Sequence, residues 1–440
     1  MLKSLHLENV GPAPEMSMQL GPRLNIITGD NGLGKSFLLD VAWWTLTKKW
    51  PRELNVDLTS GYPARPTNRH EPGFIESTVT QSRPRRSPES SSFRSKYDAS
   101  EQVWTGTRSE AWNSGLVIYV LADGGFAVWD PYRNGKRTEG GVEVPEHLPA
   151  YVFSSREVWD GLDADVSSKS TRVCNGLLAD WASWIREKGD DAARMAAVLA
   201  KLGPVVGGRP LEPGPNFARL SVYDVRDIPT VRMSYSENVP ILYASLGVRR
   251  IAALAYILCW AWREHRIAAD LVANKPVSQI VLLFDEIEAH LHPRWQRAIV
   301  PSLLEVMNIL TADDAASVQL VAATHSPLVL ASIEPEFDTA KDKLFTLDFQ
   351  DGAVALREEA WAKQGDVINW LVSDSFGLHQ GRSIEAEVAI EAAEAWMRGD
   401  RDALPTHLSN KQAIHGELVR VLAGHDPFWP RWIVTAEAIS

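Results

Sequence analysis

Cysteine is nearly absent from this 440-residue chain: Cys174 and Cys259 are the only two. That is too few for a disulfide framework, and neither stands at metal-ligand spacing, so a reduced, cytoplasmic setting is expected. Long apolar runs are missing as well. The longest candidate, Ile251 to Trp262, falls short of the roughly 20 residues of a spanning helix and reads as a buried helix, so no membrane partner is expected. The N-terminus has no apolar signal core, because Leu2-Lys3-Ser4-Leu5-His6-Leu7 alternates like a strand. Positive charge is in deficit, with 45 Lys and Arg against 56 Asp and Glu and a net charge of −11. This argues against a uniformly basic nucleic-acid coat while leaving room for a local basic groove. No internal repeat is present.

What remains is an ordinary globular composition, 45% hydrophobic and 23% charged, in a chain long enough for one elaborated domain or two. Tryptophan is plentiful at 17 residues, several near Arg or Pro, which suits core and interface anchors.

The chain is organised around Gly29-Asp30-Asn31-Gly32-Leu33-Gly34-Lys35-Ser36. An apolar run, Leu24 to Thr28, precedes it and a helix-like segment, Phe37 to Trp44, follows. Strand, Gly-rich loop and helix in that order make a phosphate-binding loop. Gly29, Asn31, Gly32 and Gly34 let backbone N–H groups turn inward around a polyphosphate. The helix N-terminus adds partial positive charge, Lys35 reaches the β- and γ-phosphates, and the Ser36 hydroxyl ligates magnesium.

Val281-Leu282-Leu283-Phe284-Asp285-Glu286 reads as a central strand of a parallel sheet ending in two carboxylates. Asp285 is placed to hold magnesium opposite Ser36, and Glu286 to polarise a water for attack on the γ-phosphate. Further on, Ala323-Thr324-His325-Ser326-Pro327 follows a strand expected beside the one carrying Asp285, which makes His325 a γ-phosphate sensor more than a base. His290 and His292 have the look of metal ligands but lack a spaced third one. Ala244-Ser245-Leu246-Gly247-Val248-Arg249-Arg250 opens an apolar helix with a serine and a glycine, a second anion site.

Elsewhere the pattern predicts strands at residues 2–8, 24–28, 74–79, 218–225 and 230–233, and a hairpin from Leu116 to Trp129. Helix is predicted from Glu157 to Leu202, then helix, strand, helix and strand from Leu246 to Ala323, the signature of a wound parallel sheet. Helices are also predicted at 366–371 and 384–397. Arg83, Arg85, Arg86 and Arg94 lie among serines and prolines in an expected surface loop.

In this order the motifs resemble the ABC-type ATPase head shared by SMC-like proteins. The resemblance implies an α/β P-loop NTPase of ABC/SMC-head type, a mixed sheet with an antiparallel β subdomain and a helical insertion. It implies ATP and Mg2+ as ligands, with Lys35 and Ser36 on phosphate and magnesium and Asp285 on magnesium. Glu286 is then the catalytic base and His325 the switch histidine. Ser245 and Gly247 are implied to close over ATP held by a second copy, head to tail, and 288–292 to meet that copy. The wording of 285–296 and 323–327, with Phe376-Gly377-Leu378 and Arg382 to Glu387, narrows the resemblance to stand-alone ATPases of bacterial anti-phage defence. These include the partners of Septu and of some retrons, and heads of the overcoming-lysogenization-defect group. Two departures stand out: the signature reads Ala-Ser-Leu-Gly-Val, and the glutamine loop falls at either Gln81 or Ser154-Ser155-Arg156, the second being preferred.

The expected organisation is an N-terminal half of the head at 1–156, a helical lid at 157–217, a C-terminal half at 218–350 and a helical region at 351–440 for partner or oligomer contacts. A homodimer or higher oligomer is expected. The resemblance further implies a separate effector, an HNH or TOPRIM-type nuclease or another toxin, since the chain leaves no room for a nuclease domain after the head. An SMC-like ATPase acting on DNA through the arginine-rich loop is the alternative. A transporter subunit and a non-hydrolysing ATP-bound scaffold are more distant readings.

Overall fold

Every residue of Gln279–Phe284 is buried, as a strand with neighbours on both sides and layers on both faces requires. The computed structural model describes residues 1–81, 89–106, 114–135, 138–139, 142–143, 148–166, 169–203, 209–312, 314, 316–350 and 352–438. Arg83, Arg85 and Arg86 lie outside the described residues, as does the side chain of Gln81. In chain order the strands of the two larger sheets are β1 (Leu2–Glu8), β2 (Glu15–Gln19), β3 (Leu24–Gly29), β4 (Phe74–Gln81), β5 (Glu89–Asp98), β6 (Val103–Thr105), β7 (Leu116–Val120), β8 (Phe126–Trp129) and β9 (Tyr151–Phe153). They continue with β10 (Gln279–Phe284), β11 (Ser317–Ala323), β12 (Asp342–Gln350) and β13 (Ala353–Glu359). The longer helices are α1 (Lys35–Thr47), α2 (Leu177–Glu187), α3 (Asp190–Leu202), α4 (Leu246–Leu271), α5 (Ile299–Thr311), α6 (Pro327–Ile333), α7 (Ile384–Arg398), α8 (Lys411–Val421) and α9 (Phe428–Ala438).

One mixed sheet runs β9-β8-β7-β10-β11-β3-β12-β13. Its β7, β10, β11, β3 and β12 are parallel, and antiparallel β8, β9 and β13 form its edges. The register sets Phe284 against Ala322 and Ala323 against Ile27. The C-terminal ends of β10, β11 and β3 therefore lie side by side, at the edge where parallel sheets collect ligands. The smaller antiparallel sheet runs β2-β1-β4-β5-β6. Leu5, Leu7, Met16, Met18, Ile75 and Val79 of this sheet share one core with α1 and with Val281, Leu283, Val321 and Phe345 of the large sheet. That is why α1 has no polar stripe: Leu38, Leu39, Val41, Trp43 and Leu46 are all buried. Burying each such side chain contributes about 2 kcal/mol. On the other face α4 packs along β7 and α5 along β11.

The segment from Glu157 to Leu202 is not helical throughout. After the short helix Glu157–Asp160, an antiparallel hairpin, Leu162–Val166 with Lys169–Cys174, precedes α2 and α3. Gly161 (φ 100°) and Gly176 (φ 87°) break the helix on either side. The expected strand at 218–225 is also absent; only Ala218 bridges to Ile228, and Asp224 N–H donates to the Ser221 carbonyl in a turn. Thr230–Met233 pairs with Ser236–Pro240 instead.

Met1–Lys363 form one compact unit and Gln364–Ser440 a second. Its core joins Ala386, Ala389, Ile390 and Ala393 of α7 to Ile414 and Leu418 of α8 and to Phe428 and Trp432 of α9. Among the described residues, no helix is long and apolar enough to cross a membrane.

Candidate active site

The loop after β3 is shaped by two glycines. Gly29 has φ 125°, and a Cβ there would lie 2.1 Å from the Leu347 carbonyl oxygen; Gly34 has φ 102° and its Cβ would meet Pro12 at 2.7 Å. Any larger residue would push β3 off β12 or the loop off Pro12. Asn31 and Gly32 between them are exposed. α1 then begins at Lys35 with no acidic residue in its first turn and no side-chain cap, leaving its N–H groups and dipole available to an anion. The Lys35 ammonium donates to the carbonyls of Gly29 and Asp30, each at 2.8 Å. Burial lowers its pKa to about 8, against the opposing pull of Asp285, Glu288, Asp30 and Glu286.

Asp285 continues β10 and is 1% exposed. Among the described residues neither of its carboxylate oxygens has a hydrogen-bond partner. Burial raises its pKa to about 6, opposed by the Ser36 hydroxyl, which is nearby but outside hydrogen-bonding geometry. A buried carboxylate without a donor is costly. One facing a loop hydroxyl fits magnesium, which takes hard oxygen donors and few of them from protein. Glu286, next in the chain, is exposed and held at φ 46°, and His290 at φ 62°. Non-glycine residues in this region carry backbone strain of about 1 kcal/mol or more.

His325 is half-buried at the end of β11. Burial first, then Lys35, lowers its pKa, while Glu288, Glu286 and the Gly29 carbonyl oppose, so the imidazole is neutral near pH 7. Its backbone is fastened by Glu288: one carboxylate oxygen accepts from His325 N–H at 2.5 Å, the other from the Thr324 hydroxyl at 2.7 Å. Sequence reasoning placed Glu288 only in a partner-facing loop. It also missed Asp40, buried in α1, which accepts from the Tyr119 hydroxyl at 2.8 Å. Burial raises the Asp40 pKa to about 7, and the charge of Asp285 adds to the rise. A third omission is Arg250, whose pKa burial lowers against the opposing pull of Glu286, Asp285, Asp123 and Glu288.

The signature residues are presented differently. Ser245 is the N-cap of α4, its hydroxyl accepting from Val248 N–H at 3.4 Å, and it is exposed between Tyr243 (68% exposed) and Leu246 (59%). Among the described residues no hydrogen bond joins it to the phosphate loop. Gly247 is buried, and a Cβ there would lie 2.8 Å from the His290 carbonyl oxygen and 3.1 Å from Trp295. His292 caps the short helix Pro293–Gln296 by accepting from Arg294 N–H, a structural use for the second histidine. In the segment preferred for the glutamine loop, Ser154 donates to Glu157 from its N–H and its hydroxyl, at 2.8 and 2.7 Å. Ser155 lies against Gly124, close to Arg250.

Residues 4–118 match the profile of a family described as "AAA domain", and residues 199–331 match one described as "AAA domain, putative AbiEii toxin, Type IV TA system". The chain carries an AAA-type ATPase domain. Its first matched span holds Gly29 to Ser36, its second Ser245, Asp285, Glu286 and His325. Over 56 residues the chain is 39% identical to "Retron Vc95 probable ATPase" of Vibrio cholerae serotype O1 biovar El Tor, a match covering 13% of this chain and 9% of that protein. Among solved structures it is similar to an Smc head bound to the C-winged helix domain of ScpA, with TM-score 0.43 and 12% identity over 82% of this chain and 98% of that one. It is also similar to the recombination mediator protein RecF, with TM-score 0.37 and 13% identity over the same shares.

Proposed function

We propose that this ATPase domain hydrolyses ATP at sites completed by a second copy of the chain, head to tail, and that the resulting opening and closing acts as a switch. The observation that carries the reading is an assembled half-site, with an orphaned Asp285, on the same chain as an outward-facing Ser245 set between exposed Tyr243 and Leu246. In this reading Lys35 and the N–H groups around Gly29, Asn31, Gly32 and Gly34 cradle the phosphates. Ser36 and Asp285 hold the magnesium. Held there, Mg2+ would supply neutralisation of the charge that develops on the phosphate. Glu286 orients and deprotonates the attacking water, and neutral His325 donates to the γ-phosphate. Ser245 and the α4 N-terminus of the second copy close over that phosphate, with Gly247 letting α4 sit tightly on the 290 loop.

The switch is proposed to control a separate effector in anti-phage defence, an HNH or TOPRIM-type nuclease or another toxin encoded nearby, with 157–217 as a lid, in a cytoplasmic dimer or higher oligomer. The AbiEii description and the retron relative support this setting. A second reading, an SMC-like ATPase acting on DNA, draws support from one feature: a cavity of ≈ 620 Å³ where Arg65, Arg69 and Lys96 outnumber Glu71 and Asp98. DNA-stimulated hydrolysis with a steep salt dependence favours it.

Glu286→Gln is the decisive variant. It is expected to bind ATP as the wild type does and to lose about a hundredfold or more in kcat. Turnover at the wild-type rate removes Glu286 from the role of base.

A further inference from the structure

We infer that the C-terminal unit, Gln364–Ser440, holds a divalent transition-metal ion of the zinc type on His379, Glu387 and Glu391. Glu387 and Glu391 stand four residues apart on α7 and so share one face. His379 arrives from the turn after Phe376-Gly377-Leu378. One imidazole nitrogen and one oxygen from each carboxylate all lie within 4.8 Å of one another.

The turn that brings His379 there is fastened at both ends. Before it, Gly377 N–H donates to the Ser373 carbonyl at 2.8 Å and Leu378 N–H to Leu371 at 3.1 Å. After it, Arg382 grips both oxygens of Asp426 at 2.9 and 3.1 Å, and the Ser383 hydroxyl caps α7. Among the described residues, none of the three side chains has a hydrogen bond or ion pair, although Glu394, one turn further along α7, is paired with Arg431 at 2.6 Å. Two carboxylates one turn apart repel, and here no lysine or arginine sits between them. What sits there is an imidazole, the commonest metal ligand.

One nitrogen and two oxygens form a borderline donor set. It suits zinc and its neighbours better than magnesium, which prefers oxygen and keeps most of its waters. Metal–ligand bonds of about 2.1 Å set donor atoms roughly 3.4 Å apart on a tetrahedron. Exposed His379 and Glu391 and half-buried Glu387 have the rotamer freedom to draw in by that margin. Three ligands leave a fourth position for water or for a donor from a partner.

The test is a zinc titration of the full chain in excess Mg2+, competed against a chromophoric chelator. One zinc per chain at micromolar affinity or tighter is expected, weakened about a hundredfold by His379→Ala. Glu387→Gln and Glu391→Gln should each weaken it, and Glu394→Gln should not. Cobalt in place of zinc should give the intense visible bands of a four-coordinate site, absent from His379→Ala. Zinc bound equally well by His379→Ala, or not bound by the wild type, overturns the assignment. Nothing here is read through ATP turnover, so failure at this site is separable from failure at Glu286.

Discussion

Asp285 and Ser245 both stand at the end of an apolar run, one leaving β10 and the other entering α4, yet one is sealed and the other open. Asp285 is enclosed by β7, β10 and β11, and its charge is an internal matter: burial first, with Glu286 behind it, raises its pKa from 3.8 to about 6 against the pull of Ser36 and Lys35. Among the described residues the Ser245 hydroxyl has Val248 N–H as its one hydrogen-bond partner. The sealed half of the site is built into the folding free energy of one chain. The open half registers only when something covers it.

The sharpest way to break that contrast is a mixing experiment. Lys35→Ala disables the sealed half and Ser245→Arg the open half, and each chain alone is expected to lose about a hundredfold or more in turnover. Mixed, the two variants can pair intact halves into one whole site, so turnover should return to a substantial fraction of wild type. No recovery, with both chains folded, means the halves do not meet across copies.

Next in size is Asp40, whose buried carboxyl titrates at about 7 in the fold against 3.8 unfolded. Between those values the folded chain holds a proton that the unfolded chain has lost, so stability falls as pH rises from about 4 to about 7, by up to about 4 kcal/mol. Asp40→Asn should flatten that slope in denaturant melts, while Ser245→Arg should cost no more than a lost N-cap, about 1 kcal/mol at any pH. Equal pH slopes for wild type and Asp40→Asn would place the charge elsewhere.

A smaller effect separates the halves by metal affinity. Asp285 must shed its proton to hold Mg2+, so the Mg2+ requirement for nucleotide binding should rise about tenfold per pH unit below about 6 and level off above it. The Ser245→Arg chain should show the same curve. A flat response between pH 5 and 7 detaches the ion from Asp285.

Much of the sealed half was legible in the sequence because it is written locally. Five unbroken apolar residues before Asp285 and a Gly-rich loop between strand and helix identify both edges of the site, and their parallel register then sets Phe284 beside Ala322. What stayed hidden depends on distant partners or on weak local patterns. Tyr119 reaches Asp40 across 79 residues and Glu288 reaches His325 across 37, distances at which no periodicity speaks. The hairpin ending at Cys174 was hidden because Lys169-Ser170-Thr171-Arg172 is exposed on both faces, so no period of two appears. At 218–225 the exposed Val222, Tyr223 and Val225 mimic a strand that the Ser221–Asp224 turn forbids.

Glu288 also dictates how the outward face of this loop can be probed. Its carboxylate is committed inside its own subunit, to Thr324 and His325, so a substitution there frees the β11 end and mimics the loss of a neighbour without involving one. His290, two residues on and with an exposed side chain, has no such hydrogen bond among the described residues. A crosslinker or fluorophore carried at that position reports on what docks against the loop and leaves the wiring behind it intact.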